Sequence, residues 1–238
     1  MRIACWSGPR NISTALMRSW SSRSDSFVSD EPFYAYYLKE KQFKHPMYKE
    51  IIKYYPNKYE DVVTSITSEI PNGKEHWYQK HMAHHLIDLN NIDWIKNFEN
   101  CILIRHPRDV ISSYIKKNTL RTAEDLGYPQ QYQLIQYLKE KGIKSIVIDS
   151  NILLNNPKDI LSKWCDHINI KFDISMLSWS RGPKLTDGIW WEHWYENVID
   201  STHFINFRKK DIEIDQEFYP IYRESLEIYQ KMYSLAIK

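Results

Sequence analysis

Residues 8–14 of this 238-residue chain, Gly-Pro-Arg-Asn-Ile-Ser-Thr, combine one cation with small polar side chains in a stretch rich in turn formers. A short apolar run precedes the segment, and a helical pattern follows it. The start of a helix offers unpaired backbone N–H groups and the positive end of the helix dipole, which together bind phosphate. Arg10 adds a positive charge to this position. Hydrogen-bonding side chains are added by Asn11, Ser13 and Thr14. The segment is therefore predicted to be an anion-binding loop.

The loop departs from the Walker A pattern, G-x-x-x-x-G-K-[ST]. Aligned from Gly8, this chain has Ser13 at the position of the second glycine, Thr14 at that of the lysine and Ala15 at that of the final serine or threonine. Magnesium-dependent phosphoryl transfer needs that lysine and that hydroxyl, and this chain lacks both. The pattern favours an anion held by protein groups alone. A small-molecule or nucleotide kinase with a degenerate loop stays open as an alternative.

A second candidate anion site lies in residues 103–114, L-I-R-H-P-R-D-V-I-S-S-Y. Arg105 ends a continuous apolar run, and Pro107 then opens a predicted helix that carries Ser113 about two turns in. Arg105 and Ser113 could bind one phosphate through charge and a hydrogen bond. Ligands in open α/β sheets bind at the carboxyl ends of the strands, where both candidate sites fall.

Structural roles stay open for these residues. Arg10 could cap a neighbouring helix or pair with an acid, and Arg105 could form an ion pair with Asp109 or Asp149. Ser113 could be an ordinary helix residue, with Ser112 as its rival in the same turn.

The elements that must position these residues follow from hydrophobic patterning. Short apolar runs alternate with helical stretches, which predicts an α/β fold with a mainly parallel sheet. The strand candidates are residues 2–6, 26–29, 76–82, 101–105 and 145–149. Residues 179–207 are aromatic and loop-like, and residues 214–236 have the spacing of a closing helix. Because no linker interrupts the pattern, one domain is predicted over residues 1–238.

Composition argues against several classes of protein. The net charge of +2 gives no electrostatic reason to expect a nucleic-acid partner. No apolar run approaches the ~20 residues of a membrane span, and no signal peptide is visible. Cys5, Cys101 and Cys165 are widely spaced in apolar or helical runs, as buried reduced thiols would be. We therefore expect a cytoplasmic protein without a metal site; its oligomeric state is left open.

Three segments resemble the family of sulfotransferases that use 3′-phosphoadenosine 5′-phosphosulfate (PAPS). Residues 8–14 look like the family's 5′-phosphosulfate loop. Residues 105–109 with Ser113 are similar to its 3′-phosphate motif. Residues 148–157, I-D-S-N-I-L-L-N-N-P, resemble the strand-and-helix segment that follows in the family. The resemblance implies a P-loop-like, three-layer α/β domain around a central parallel sheet of about five strands. It also implies transfer of a sulfuryl group from PAPS to a hydroxyl of a small-molecule acceptor, with PAP as the product.

The resemblance further implies which residues bind the donor. Arg10 would hold the bridging and sulfonate oxygens, and Arg105 and Ser113 would hold the 3′-phosphate. The cofactor-binding loop would comprise Gly8, Pro9, Arg10, Asn11, Ile12, Ser13 and Thr14. Three positions depart from the family pattern. Arg10 stands where many cytosolic members have lysine, Ile12 where members often have glycine, and Ala15 where an adenine-stacking tryptophan is often found.

Sulfuryl transfer needs a base that takes the proton of the acceptor hydroxyl. Glu31, in Ser-Asp-Glu-Pro-Phe at the end of the second strand candidate, matches the position of a proposed base in bacterial sulfotransferases and ranks first. His81, in Lys-His-Met-Ala-His-His at the end of the third strand candidate, ranks second. Lys80 would stabilise charge on the transferring group. For His84 and His85 a structural role is as good an interpretation as catalysis.

Two late segments complete the prediction. Residues 182–195 hold three tryptophans and a tyrosine within six residues, and we interpret them as a packed flap with some ligand contact. Residues 208–210, Arg-Lys-Lys, weakly resemble a basic motif of the family, although a solvated run is the simpler interpretation. A non-catalytic ligand-binding protein of the same fold is the second alternative to a sulfotransferase.

Overall fold

The computed structural model describes residues 1–208 and 212–238. A five-stranded, all-parallel sheet runs through it in the order β2-β3-β1-β4-β5. Its strands are β1 (Arg2–Ser7), β2 (Ser26–Asp30), β3 (His76–Met82), β4 (Glu99–Ile104) and β5 (Ser145–Asp149). The predicted α/β fold with a five-stranded parallel sheet is confirmed.

Eleven α-helices lie among the described residues. The first six are α1 (Ser13–Ser21), α2 (Tyr34–Lys41), α3 (Tyr48–Tyr54), α4 (Tyr59–Thr67), α5 (Pro107–Tyr114) and α6 (Tyr128–Glu140). The others are α7 (Ser150–Asn155), α8 (Pro157–His167), α9 (Trp191–Trp194), α10 (Glu196–Ile199) and α11 (Tyr219–Tyr233). Short 3₁₀ turns connect several of them, including Ala83–His85 after β3 and Ala123–Leu126 before α6.

Helices cover both faces of the sheet because its strands are apolar on both sides, as parallel strands usually are. On β1, Ala4 and Trp6 join the core cluster that includes α6 and α11. Ile3 and Cys5 point the other way, into the cluster that includes α1 and α8. A smaller cluster places α2 and α3 against Trp190 and Tyr195 of the aromatic segment.

The boundaries of two helices follow from glycine and proline. Gly127, whose φ is 78°, ends the 3₁₀ turn before α6 begins. Residues 214–236 were expected to form one helix, but α11 begins only at Tyr219, next to Pro220. Proline lacks a backbone N–H and is therefore tolerated in the first turn of a helix rather than in its interior.

Candidate functional site

The loop between β1 and α1 adopts an unusual backbone conformation. Arg10 and Ile12 have φ values of 62° and 60°, in the left-handed region that favours glycine. Ile12 is also the N-cap residue of α1, and its side chain makes no capping hydrogen bond. Ile12 stands where the family resemblance led us to expect glycine, and its backbone keeps a conformation that favours glycine. Such strain persists only where surrounding structure holds it in place.

Asn11 holds this loop against the sheet. Its side-chain amide donates to the carbonyl of Leu103 at 3.0 Å, and its own carbonyl accepts from Ser150 Oγ at 2.9 Å. Asn11 is 1% exposed. The side-chain amide thus ties the loop to β4, and the backbone carbonyl ties it to the start of α7. That Asn11 also contacts a phosphate stays a prediction.

Arg10 and Arg105 lie together at the carboxyl edge of the sheet. Arg10 Nε donates to Ser113 Oγ at 2.8 Å, and Arg105 Nη1 donates to the carbonyl of Arg10 at 2.9 Å. Burial lowers the pKa of both arginines, and the neighbouring charge of Arg105 lowers that of Arg10 further. Within the described part of the chain neither arginine has a carboxylate within 4.0 Å. Two adjacent, partly buried cations without an acidic partner favour an anionic ligand.

The carboxylates considered as partners of Arg105 have other roles. Asp109 Oδ2 accepts from the Asn151 amide at 2.9 Å. Asp149 caps α7 through the backbone N–H groups of Asn151 and Ile152, and it accepts from Tyr229 at 2.9 Å. The ion-pair alternative for Arg105 is therefore not what the structure shows.

Lys80 is the centre of a buried charged cluster at the same edge. Its ammonium donates to Asp30 Oδ1 at 2.9 Å, Glu31 Oε1 at 2.5 Å and the Tyr195 hydroxyl at 2.7 Å. Lys80 is 1% exposed, and the two carboxylates raise the pKa of its ammonium against the opposing effect of burial. Lys80 is thus held as a cation directly beside Glu31.

Glu31 combines strained backbone with a perturbed carboxyl group. Its φ is 44°, and the conformation is held by hydrogen bonds of its N–H to the Lys80 carbonyl and of its carbonyl to Tyr34 N–H, both 2.9 Å. Burial raises the pKa of the Glu31 carboxyl, while the charge of Lys80 opposes this rise. A buried carboxylate with a raised pKa is suited to accept a proton.

His81 points to the opposite face of β3 from Lys80. Its ring stacks on Trp6 with centroids 4.3 Å apart, and its Nε2 lies 3.2 Å from Gln79 Oε1. Burial lowers the pKa of His81 to about 3. Because side chains alternate along a strand, only one of two successive residues can face the site. The structure assigns that position to Lys80 and places His81 in the core.

A large cavity of about 1390 Å³ brings the remaining predicted residues together. They are Pro9, Arg10, Asn11, Ile12, Ser13, Thr14, Glu31, Lys80, Arg105 and Ser113. Gly8 is not among the lining residues; a Cβ on it would lie 2.4 Å from the Leu126 carbonyl. Ligand cavities commonly measure 300–1,000 Å³, so this one has room for two small molecules side by side.

The late aromatic segment closes part of this cavity. Trp194 and Tyr195 line it, while Trp190 is buried at 1% exposure against α2 and α3. Two buried polar contacts anchor the segment: Arg18 pairs with Asp187 through two hydrogen bonds of 2.5 and 2.6 Å, and Gly188 N–H donates to Asp30 at 3.0 Å. The segment is thus a packed flap that also lines the cavity, while its contact with a ligand stays a prediction.

Sequence reasoning missed several residues of the site. Asp30 and Tyr195 complete the cluster around Lys80. The paired acids Asp30-Glu31 at a strand end were the available signal for Asp30, and Tyr195 had been predicted only as part of the flap. His203 and Phe204 line the main cavity and a neighbouring one of about 990 Å³, which also contains Arg105 and Ser113. Arg208 lines this second cavity, whereas Lys209 and Lys210 of the predicted basic run lie outside the described residues.

Comparison with known sequences identifies the family. A sequence model of the sulfotransferase domain matches residues 1–236. The chain belongs to the sulfotransferase domain family. No α-helix within residues 1–208 or 212–238 of this domain combines the length and hydropathy needed to span a bilayer.

Two plant proteins are similar in sequence to this sulfotransferase domain. They are the branched-chain-amino-acid aminotransferase-like proteins 1 and 2 of Arabidopsis thaliana, 32% and 31% identical over 227 and 228 residues. The alignments cover 95% of this chain but 40% of each plant protein. The chain therefore spans about two fifths of the length of these relatives.

Solved structures of sulfotransferases share the fold. The sulfotransferase domain from the Synechococcus PCC 7002 olefin synthase has a TM-score of 0.61 at 16% identity, covering 97% of this chain and 94% of that one. The domain from the curacin biosynthetic pathway gives 0.58 at 16% identity, covering 99% and 98%. A sulfotransferase from Alicyclobacillus acidocaldarius gives 0.55 at 13% identity, covering 100% and 97%.

Proposed function

We propose that this sulfotransferase domain transfers a sulfuryl group from PAPS to a hydroxyl of a small-molecule acceptor. The observation that carries the proposal is one cavity with two chemically different regions. One region has the unpaired cations Arg10 and Arg105, and the other has the Glu31–Lys80 pair.

The cationic region fits the phosphate groups of the donor. Ser13 and Thr14 begin α1, whose first turn contains no acidic residue, so its N–H groups and dipole favour an anion. We propose that this turn and Arg10 hold the 5′-phosphosulfate, while Arg105 and Ser113 hold the 3′-phosphate. Phe204 and its neighbours in the adjoining wall would contact the nucleoside in place of a stacking tryptophan at position 15.

The chemistry follows from the groups around the acceptor. PAPS supplies the sulfuryl group, which leaves the bridging phosphate oxygen as the acceptor oxygen bonds to sulfur. Glu31, as a carboxylate, accepts the proton of the acceptor hydroxyl. Lys80 and Arg10 stabilise negative charge that develops on the sulfonate and bridging oxygens, at positions fixed before reaction begins. Asp30 and Tyr195 orient Lys80 through their hydrogen bonds.

We also propose that residues 1–238 act as one domain and work in the cytoplasm. Cys5, Cys101 and Cys165 are buried free thiols, which suits a reducing compartment.

Binding of PAP tests the proposal. PAP without magnesium should raise the melting temperature, because a ligand that binds only the folded state stabilises it. Arg105→Gln should weaken PAP binding about 10- to 100-fold through loss of charge-assisted hydrogen bonds. Arg181→Gln is the matched control, since Arg181 is 69% exposed and lies outside the cavity lining. No melting shift at saturating PAP, or a shift with magnesium-ATP alone, would contradict the proposal.

A further inference from the structure

A belt of aromatic rings lines the wall of the cavity that adjoins Glu31 and Lys80. Its members are Tyr34, Tyr37, Phe43, His45, His85 and Trp194. Five of these rings form a closed circuit, with centroid separations between 4.5 and 5.9 Å at each of its five contacts. Trp194 joins the circuit at His45, 6.3 Å away. Nothing in the proposed donor site uses these rings.

Part of the ring surface of the belt is open to the cavity and is not covered by other rings of the belt. Tyr34 and His85 are 3% and 2% exposed and form its base. Phe43 is 41% exposed, and Tyr37 and Trp194 are half-buried. A concave wall with aromatic surface left open is what a small-molecule site offers to an apolar ligand.

Short sequence separations place the belt beside Glu31 and Lys80, the proposed catalytic pair. Tyr34 follows Glu31 by three residues and donates its backbone N–H to the Glu31 carbonyl at 2.9 Å. Lys80 lies on β3, and His85 ends the 3₁₀ turn that follows this strand. A ligand stacked on the belt therefore lies next to both members of the pair.

The rings of the belt carry no charge near pH 7. Burial lowers the pKa of His45 and His85 and raises the pKa of Tyr34 and Tyr37, so all four rings are neutral. The rest of the cavity lining holds both cations and carboxylates, among them Lys41, Lys44, Asp88, Glu124 and Asp125. The belt therefore offers neutral aromatic surface, and the lining does not favour one sign of charge on the ligand.

We propose that the acceptor is an aromatic compound whose ring stacks on this belt while its hydroxyl faces Glu31 and Lys80. The inference rests on the proposed function, because it names the acceptor class of the same site. Offset-stacked and edge-to-face contacts favour an aromatic ring over a saturated one of similar size.

Two alcohols of matched shape and hydroxyl type test the inference: 2-phenylethanol and 2-cyclohexylethanol. Their dissociation constants are measured by calorimetry on the protein saturated with PAP, so that no turnover is needed. We expect 2-phenylethanol to bind about 3- to 10-fold more tightly, as one or two ring contacts would give. Equal or reversed affinities would overturn the inference.

Variants of belt residues test whether the belt causes the preference for the aromatic alcohol. Tyr37→Leu should remove most of the difference between the two alcohols, and Tyr37→Phe should keep it. Phe43→Leu, at an exposed position, gives a second variant with little risk to folding. Tyr54→Leu is the control, because Tyr54 is 67% exposed and outside the cavity lining. A preference unchanged in both belt variants would also overturn the inference.

Failure of the two proposals can be told apart. If PAP does not bind, the proposed function fails, and the alcohols are then compared on the protein alone. If PAP binds and the alcohols do not differ, only the aromatic acceptor is excluded.

Discussion

The Tyr195 hydroxyl lies 2.6 and 2.7 Å from the two carboxylate oxygens of Asp30, although 165 residues separate them in the chain. The same hydroxyl accepts a hydrogen bond from Lys80 at 2.7 Å. One phenol thus joins the flap to the strand end that carries the proposed base. Movement of the flap would change the position of the Lys80 ammonium.

Tyr195→Phe should therefore slow turnover more than it weakens donor binding. The variant keeps the ring but removes the hydroxyl from Lys80 and Asp30, so we expect kcat to fall about tenfold with the Kd for PAP nearly unchanged. Loss of a buried hydrogen-bonded group should also cost about 1–3 kcal/mol of unfolding free energy. Steady-state kinetics, calorimetry with PAP and denaturant unfolding measure the three effects.

Tyr55→Phe is the matched control. The Tyr55 hydroxyl accepts from Ile189 N–H at 3.2 Å, so it contacts the same flap without touching Lys80. If both variants lowered kcat equally, Tyr195 would act only by holding the flap.

Glu31→Gln should abolish most turnover while PAP binding survives. General-base catalysis contributes about 10²- to 10⁴-fold, and the amide cannot accept the proton. Turnover of the unchanged protein should fall as the pH falls through the pKa of Glu31, because the carboxylate is the active form. Burial raises this pKa, so the fall should begin above the range of an ordinary glutamate. Retained turnover in Glu31→Gln, with normal PAP binding, would remove Glu31 from the role of base.

His81 should contribute to acid lability rather than to catalysis. Burial lowers the pKa of its imidazole from 6.5 to about 3, so the unfolded chain binds a proton that the folded protein excludes. The stabilisation is complete above pH 6.5 and is lost as the pH falls toward 3. Its size is on the order of 3 kcal/mol between pH 7 and pH 4. His81→Phe should flatten the stability profile over this window in denaturant unfolding, with turnover at pH 7 largely retained.

His167→Gln, at an exposed position, is the control and should leave that profile unchanged. His81→Phe also leaves Gln79 Oε1 without its partner, so a uniform loss of stability at neutral pH is expected. An unchanged slope between pH 7 and pH 4 would show that His81 does not control the acid response.

Gly8→Ala should disturb the loop although Gly8 does not line the cavity. The added methyl group would meet the Leu126 carbonyl at 2.4 Å, a backbone atom that cannot rotate away. We expect a loss of about 1–3 kcal/mol in unfolding free energy, together with weaker PAP binding as the loop shifts. Gly73→Ala is the comparison: its φ of 61° makes alanine strained, yet nothing lies within 4 Å of the new Cβ. That variant should lose stability without losing PAP affinity.

The parts of the site that are local in sequence could be predicted from the sequence. Arg105 and Ser113 belong to one strand–turn–helix unit, and Arg10 lies in the turn between β1 and α1. Helix and strand geometry therefore suffices to place all three at the carboxyl edge of a parallel sheet. The five strands were recognisable because buried parallel strands are continuous apolar runs. The same local reasoning singled out Ile12 as a departure from the expected glycine. Its φ of 60° lies in the left-handed region, where a β-branched residue is strained.

Tertiary structure alone decided which neighbouring side chains face the cavity. Lys80 and His81 are adjacent polar residues on β3, and the local sequence does not indicate which of the two is buried in the core. In the structure His81 packs against Trp6, so Lys80 faces the cavity. The contact of Tyr195 with Asp30 and the closed circuit of aromatic rings depend on how distant segments dock on the sheet. The sequence by itself thus determined the elements and brought the proposed anion-binding residues to one edge of the sheet, because backbone propensity and hydrophobic period act over a few residues. The surroundings of the proposed base, of Lys80 and of the aromatic belt were decided by long-range packing, which no short pattern encodes.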